Sequence, residues 1–136
     1  MKRIKQLVLA CALASTTALA AAAPNPLSVH VLDLQSGQPA AGVDVTLEQH
    51  VGEQWRQLST GATNAQGRIP ALYPADKKMT AGEYRIVFNI GEYYARYGRA
   101  TFFSRIPVEF SADATAEHYH IPLLLSPFGY STYRGN

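Results

Sequence analysis

Histidine and arginine are the residue types in this chain that could carry chemistry. The chain has four histidines, and an imidazole with an ordinary pKa of about 6.5 exchanges protons at neutral pH. His30 lies in LSVHVLDL (27–34), and His118 and His120 lie one residue apart in HYHIPLLL (118–125). We interpret His50, which lies among polar neighbours near a predicted strand end, as a solvated surface residue. Activation of a water molecule by His30 or His120 is one chemistry that the sequence leaves open.

Two other interpretations of His30 and His120 are open at this point. Both could be ordinary surface residues on sheet faces. The His-x-His spacing of the tail could also place two imidazoles beside a zinc ion. No H-x-x-E-H or H-E-x-x-H motif accompanies that spacing, which disfavours a metal site.

Two arginines lie where they could hold a ligand. Arg68 follows the glycine of the turn NAQGRI (64–69), and Arg134 lies near the chain end. A guanidinium offers a planar fork of donors that suits anionic or carbonyl-rich ligands. The sequence has no nucleophile elbow (G-x-S-x-G), P-loop or glycine-rich dinucleotide motif, so neither a serine nucleophile nor a nucleotide ligand is predicted.

These residues lie in segments whose apolar residues alternate, which is typical of half-buried β-strands. The predicted strands are 27–34, 43–51, 82–90, 105–112 and the two halves of the tail, 118–125 and 130–135. Turn sequences separate the strands, and GEYYARYG (91–98) is the predicted helix. About seven or eight short strands with one short helix predict an all-β, two-sheet antiparallel β-sandwich. Pairing within a sheet would order the tail, since chain ends are otherwise disordered.

The first 23 residues predict a cleaved secretory signal peptide. Lys2, Arg3 and Lys5 precede an apolar, alanine-rich stretch, and small residues lie before Pro24. The stretch is short and alanine-rich for a membrane anchor, which needs about 20 strongly apolar residues. We therefore predict a mature domain at 24–136, a periplasmic location and no membrane attachment after cleavage. The only cysteine, Cys11, lies within the signal, so no disulfide is predicted in the mature chain.

Cleavage changes the charge of the chain. The full chain has 12 Lys and Arg against 10 Asp and Glu, and the predicted signal removes three basic residues and no acidic one. The mature chain therefore has nine basic and ten acidic residues, a net charge of −1. Because no basic run remains, nucleic-acid binding is not predicted.

The tail HYHIPLLLSPFGYSTYRGN (118–136) resembles the C-terminal signature of the transthyretin-like 5-hydroxyisourate hydrolases. The resemblance extends over most of the mature chain: 27–34 resembles the first strand of that family, TNAQGRI (63–69) its Gly-Arg turn, and 82–88 and 102–110 later strands. It implies a two-sheet sandwich of eight strands with one short helix, assembled as a homotetramer (a dimer of dimers). The sites would lie in a channel between dimers, and no cofactor or metal is implied.

The resemblance also implies a reaction, the hydrolytic ring opening of 5-hydroxyisourate that follows urate oxidation. The catalytic residues of the family correspond to His30, Arg68 and His120. The implied roles are that the two histidines position and deprotonate a water molecule, while the arginine stabilises charge that develops on the substrate. The C-terminal tetrapeptide of the family, implied to shape the channel and hold the tail and the ligand, corresponds to Tyr133, Arg134, Gly135 and Asn136.

One residue departs from the family pattern. The family tetrapeptide usually ends in serine, and this chain ends in Asn136. An asparagine amide has no hydroxyl proton to give, although it still donates and accepts hydrogen bonds and can anchor the tail.

The resemblance leaves a ligand-binding alternative. The hormone carrier transthyretin shares the fold and the channel and binds ligands without catalysis, so this chain could be an exported transthyretin-like binding protein. That carrier lacks the His/Arg set and the Tyr-Arg-Gly tail, and their presence here favours the enzyme. An accessory β-sandwich domain is a further alternative, and a stable monomer would favour it.

Overall fold

The computed structural model describes residues 23–113 and 115–136. Residues 1–22, nearly all of the predicted signal peptide, lie outside the described residues. Within the described part of the chain, no helix is long and apolar enough to cross a membrane.

The described residues form nine strands and one short helix. In chain order these are β1 (Leu27–Asp33), β2 (Gln38–Pro39), β3 (Asp44–Val51), β4 (Gln54–Ala62), β5 (Arg68–Ile69), β6 (Gly82–Asn89), α1 (Ile90–Ala95), β7 (Arg105–Ala112), β8 (Tyr119–Ser126) and β9 (Gly129–Thr132).

The strands form two sheets that pack face to face. One sheet has the order β2-β1-β8-β9, with β5 also paired to β1, and the other has the order β4-β3-β6-β7. The alternating apolar residues of each sheet point into the shared core: Val29 and Val31 of β1 and Ile86 and Phe88 of β6 have no exposed surface. This two-sheet packing confirms the predicted β-sandwich, because each sheet has one apolar face that must be covered.

One strand pair at the centre of the five-stranded sheet is parallel. β1 runs alongside β8 from Leu27 opposite Tyr119 to Asp33 opposite Leu125, whereas the other strand pairs are antiparallel. The two strands come from opposite ends of the domain, so no tight turn constrains their direction. In this register Ser28 lies beside His120, and His30 lies beside Pro122.

Strand β4 was not predicted from the sequence. It forms an edge of the four-stranded sheet, and most of its residues are partly or fully exposed. An edge strand with polar residues on both faces has no alternating apolar pattern to reveal it.

Helix α1 begins directly after β6 and ends at Ala95, three residues before the predicted end. No side chain caps its first turn. Instead, the main-chain N–H groups of Ile90 and Gly91 donate to the carbonyl oxygen of Ser104 over 2.9 and 2.8 Å. These bonds satisfy donors that a helix start leaves unpaired, and they tie the helix to the segment before β7.

Candidate active site

The two candidate histidines lie on the outer face of the five-stranded sheet. His30 on β1 and His120 on β8 alternate with buried residues, and both are half-buried. Their ring centroids are 6.5 Å apart, and the ring planes are inclined by 31°. The parallel pairing of β1 and β8 therefore brings together two imidazoles that are 90 positions apart in the sequence.

Arg68 reaches the same part of the sheet through β5. This two-residue strand pairs antiparallel with β1 and places Arg68 directly opposite His30. Asn64 fixes the turn before it: its side-chain Oδ1 accepts hydrogen bonds from the main-chain N–H groups of Gln66 and Arg68, each over 3.0 Å. The main-chain N–H of Asn64 also donates to the carbonyl oxygen of Arg68 over 2.9 Å. A closed turn rather than a long strand thus positions the guanidinium.

Glycine is required at position 67 of this turn. Gly67 has a φ of 71° and is buried, and its carbonyl oxygen accepts a hydrogen bond from Val31 N–H over 2.8 Å. A Cβ at this position would lie 2.5 Å from the carbonyl oxygen of Val31 and 3.1 Å from the nitrogen of Ala40. The turn can therefore approach β1 closely only without a side chain at this position.

The surroundings keep both histidines in their neutral form. Partial burial, followed by the positive charge of Arg68, lowers the pKa of His30. The same two causes lower the pKa of His120, with smaller contributions from His30 and His118. A neutral imidazole has a lone pair with which it can accept a proton, so both side chains are in the form that a general base needs at neutral pH.

The chain end lies against the imidazole of His120. Gly135 forms a single antiparallel bridge with His120, and its N–H donates to the His120 carbonyl oxygen over 2.9 Å. A Cβ on Gly135 would lie 2.5 Å from Cδ2 of His120 and 3.1 Å from Cγ of Pro122. The tail thus covers one edge of the ring at a distance that only glycine permits.

The other tail residues lie elsewhere in the protomer. The guanidinium of Arg134 lies over the ring of Tyr119, 5.4 Å from its centroid, and the buried Tyr119 points to the opposite side of β8 from His120. Tyr133 and Arg134 line a cavity of about 240 Å³ beside β7 and β8. Asn136 is exposed at the end of the chain.

The structure therefore brings together only part of the predicted site. The predicted residues that cluster on the outer face are His30, Arg68, His120 and Gly135. Among residues 23–113 and 115–136, no three His, Cys, Asp or Glu side chains are grouped so that they could hold a metal ion.

Ser28 is a site residue that the sequence analysis missed. Its hydroxyl oxygen lies 2.7 Å from Nδ1 of His120 and 3.0 Å from Nε2 of His118. The period of two places Ser28 on the same face as His30, which was a usable signal. Its contact with His120, however, depends on the parallel register of β1 and β8, which no local pattern encodes.

Comparison with known proteins agrees with this fold. The model of the HIUase/Transthyretin family matches residues 27–135. The chain is 51% identical over 137 residues to a 5-hydroxyisourate hydrolase of Salmonella typhimurium, and the alignment covers 100% of both chains. The solved structure of Klebsiella pneumoniae 5-hydroxyisourate hydrolase is 39% identical with a TM-score of 0.71, covering 81% of this chain and 98% of that one.

A solved structure with a bound ligand is also similar to this chain. Sea bream transthyretin in complex with thyroxine is 36% identical with a TM-score of 0.76, covering 81% of this chain and 94% of that one. Since the family match spans the sandwich from β1 to the residue that covers His120, the chain belongs to the HIUase/Transthyretin family.

Proposed function

We propose that this chain hydrolyses 5-hydroxyisourate by attack of a water molecule on a ring carbonyl. The observation that carries the proposal is the grouping of two imidazoles and one guanidinium, from His30, His120 and Arg68, on one outer face of the sheet. Relatives from Salmonella, Mesorhizobium and mouse are named 5-hydroxyisourate hydrolases, at 51%, 45% and 37% identity.

The grouping suits hydrolysis of a cyclic amide. One histidine accepts a proton from water while the water oxygen forms a bond to the carbonyl carbon. Arg68 stabilises the negative charge that develops on the carbonyl oxygen. The C–N bond of the ring then breaks, and the departing nitrogen takes the proton back from the imidazolium. The second histidine holds the water in line for attack, which lowers the entropic part of the barrier.

A rate measurement separates this proposal from ligand binding alone. Urate oxidase generates 5-hydroxyisourate in the cuvette, and its decay is followed by absorbance with and without the mature protein, residues 24–136. We expect the protein to accelerate the decay at catalytic concentration. Decay at the spontaneous rate, together with tight binding of thyroxine by the same preparation, would contradict the proposal and support the carrier function.

We also propose that the protein is exported to the periplasm and cleaved near residue 23. The basic and then apolar start supports this, and the Salmonella relative matches over the whole chain, so the similarity includes these residues. Expression of the full chain in a Gram-negative host tests it: we expect periplasmic protein that begins at or near Pro24. Full-length protein in the cytoplasmic fraction would contradict it.

A homotetramer is the proposed assembly. Strands β7 and β9 end their sheets with open edges, and the exposed apolar side chains include Phe102, Phe128 and Tyr133. Exposed apolar surface next to open strand edges is a typical site for self-association. Sedimentation of the mature protein should give the mass of four chains, whereas a monomer at assay concentration would contradict the proposal.

The pH profile of hydrolysis should have an acidic limb below the ordinary histidine range. The pKa values of His30 and His120 are both lowered, so the neutral, active forms persist to lower pH. We expect kcat/KM to be constant through neutrality and to fall only below about pH 6.5. Initial rates in buffers of constant ionic strength measure the limb. A fall that begins above pH 7 would contradict the assignment.

Adding a methyl group at Gly135 should disturb catalysis more than folding. In Gly135→Ala, Cβ would lie 2.5 Å from the His120 ring, so the ring or the tail must shift. A misplacement of about 1 Å in a catalytic group can lower the rate about 100-fold, and we expect a loss of that order in kcat/KM. Gly129→Ala is the matched control, since its Cβ would meet only Ser126 Oγ at 3.7 Å. Equal kinetics for the two variants would contradict this role of the tail.

A further inference from the structure

A chain of hydrogen bonds leads from the start of the domain to His120. Nδ1 of His118 lies 2.8 Å from the main-chain carbonyl oxygen of Asn25. Nε2 of the same ring lies 3.0 Å from Oγ of Ser28, and Ser28 Oγ lies 2.7 Å from Nδ1 of His120. None of these contacts is required by the mechanism described above.

The carbonyl of Asn25 determines which atoms donate and which accept along these hydrogen bonds. A carbonyl oxygen can only accept, so Nδ1 of His118 must carry the hydrogen. In a neutral His118, Nε2 then has a lone pair and accepts from the Ser28 hydroxyl. The hydroxyl has a single hydrogen, so Ser28 Oγ is left as an acceptor toward His120.

We propose that His118 and Ser28 are positioning residues that hold the proton of His120 on Nδ1 and leave Nε2 as the unprotonated nitrogen that accepts the proton of the attacking water. The proposal deepens the proposed function, on which it rests, by naming the general base and the atom that acts. Ring tautomers are commonly fixed by the partner of the other ring nitrogen.

Donation in the opposite direction along these hydrogen bonds is disfavoured. It needs Nε2–H on His118, which already carries Nδ1–H, and therefore a cationic ring. A cationic His118 would add a positive charge to a site that already contains Arg68.

Asn25, whose carbonyl oxygen begins this series of hydrogen bonds, is held firmly. The side-chain Oδ1 of Asn25 accepts from the N–H groups of Leu27 and Tyr73 over 3.1 and 3.2 Å. Its Nδ2 donates to the Tyr73 carbonyl oxygen over 2.8 Å. The main chain of Asn25 therefore has little freedom, which makes it a suitable fixed acceptor for His118.

The test uses three variants of the mature protein and two measurements. Ser28→Ala removes the hydroxyl, His118→Phe removes the ring nitrogens, and Ser28→Thr keeps a hydroxyl on the same strand. We expect kcat to fall about tenfold in Ser28→Ala and His118→Phe, which corresponds to the loss of one hydrogen bond. KM should change little. Ser28→Thr should keep most of the wild-type kcat.

The second measurement reads the tautomer without substrate. Long-range ¹H–¹⁵N spectra of histidine-labelled protein distinguish a protonated from an unprotonated ring nitrogen. We expect the wild-type His120 to carry its proton on Nδ1, and the Ser28→Ala and His118→Phe variants to show a mixture of tautomers. A role in stability alone would change the unfolding temperature and leave the tautomer as it is.

Two results would overturn the proposal. One is a wild-type His120 protonated on Nε2, and the other is an unchanged tautomer and kcat in both Ser28→Ala and His118→Phe. Because the spectra need no substrate, they test the hydrogen bonds from Asn25 to His120 even if the protein does not hydrolyse 5-hydroxyisourate. Failure of the proposed function would instead appear as an inactive wild-type protein.

Discussion

Replacing His120 with glutamine should lower kcat/KM for 5-hydroxyisourate about 100- to 10,000-fold, the range lost with a general base. Glutamine fills a similar volume and keeps hydrogen-bonding capacity, but it cannot accept a proton from water near neutral pH. The half-buried ring lies on the outer face of β8 rather than in the core, so the unfolding temperature should change little. Steady-state rates across a range of substrate concentrations measure the effect.

His50→Gln is the matched control for this variant. His50 is an exposed residue near the end of β3, and its ring packs against Trp55 at a tilt of 41° with the centroids 4.9 Å apart. Loss of that ring should leave the kinetics at the wild-type level. Wild-type kinetics in His120→Gln, or an equal loss in both variants, would contradict the assignment of His120 to the site.

Replacing Arg68 with alanine should produce the second large loss, about 100- to 1,000-fold in kcat, as for the removal of a preorganised donor from a developing negative charge. The same variant should move the acidic limb of the pH profile to higher pH. The sign follows from the pKa values, since the positive charge of Arg68 lowers those of both His30 and His120. Arg68→Lys should restore the position of the limb more fully than the rate, because lysine keeps the charge without the planar fork.

Arg56→Ala controls for the loss of a positive charge in general. Arg56 is exposed on β4, in the other sheet. Its removal should change neither the rate nor the pH profile. An Arg68→Ala variant with a reduced rate and an unshifted acidic limb would show that the guanidinium does not act on the histidines as described.

Strands with a regular apolar face could be predicted from the sequence, even at a sheet edge, and strand β4 could not. The alternation in RIPVEFSA gave the bounds of β7 as the structure has them, Arg105–Ala112, because apolar residues that must be buried repeat every second position. β4 has no such repeat, since neither of its faces is buried. The two-residue strand β5 is too short for any periodic signal, although it carries Arg68.

Candidate site residues could be named from the sequence, but their arrangement could not be predicted. Residue type and the family resemblance made His30 and His120 candidates. Their proximity depends on the parallel pairing of β1 and β8, which is a long-range contact without a local signature. The same pairing creates the contacts of Ser28, so the hydrogen bond that joins Ser28 to His118 could not be predicted from spacing.

The structure of the tail, too, could be predicted only in part. Its pairing within a sheet followed from the apolar run and the turn after it, but the last strand, β9, spans Gly129–Thr132 rather than the predicted 130–135. The positions of the last four residues could not be predicted: Gly135 lies against His120, while Arg134 lies over Tyr119 on the other side of β8. These positions depend on the way the end of the chain bridges to β8, which the tetrapeptide alone does not specify.

The central claim, that the outer face between β1 and β8 is the hydrolytic site, is tested most directly by a comparison of two proteins in one assay. The decay of freshly generated 5-hydroxyisourate is measured with the wild-type mature protein and with the His30→Ala/His120→Ala double variant, after both have been shown to be folded and of equal mass in solution. We predict accelerated decay with the wild type and the spontaneous rate with the double variant. Equal acceleration by both proteins would contradict the account and place the chemistry elsewhere in the molecule.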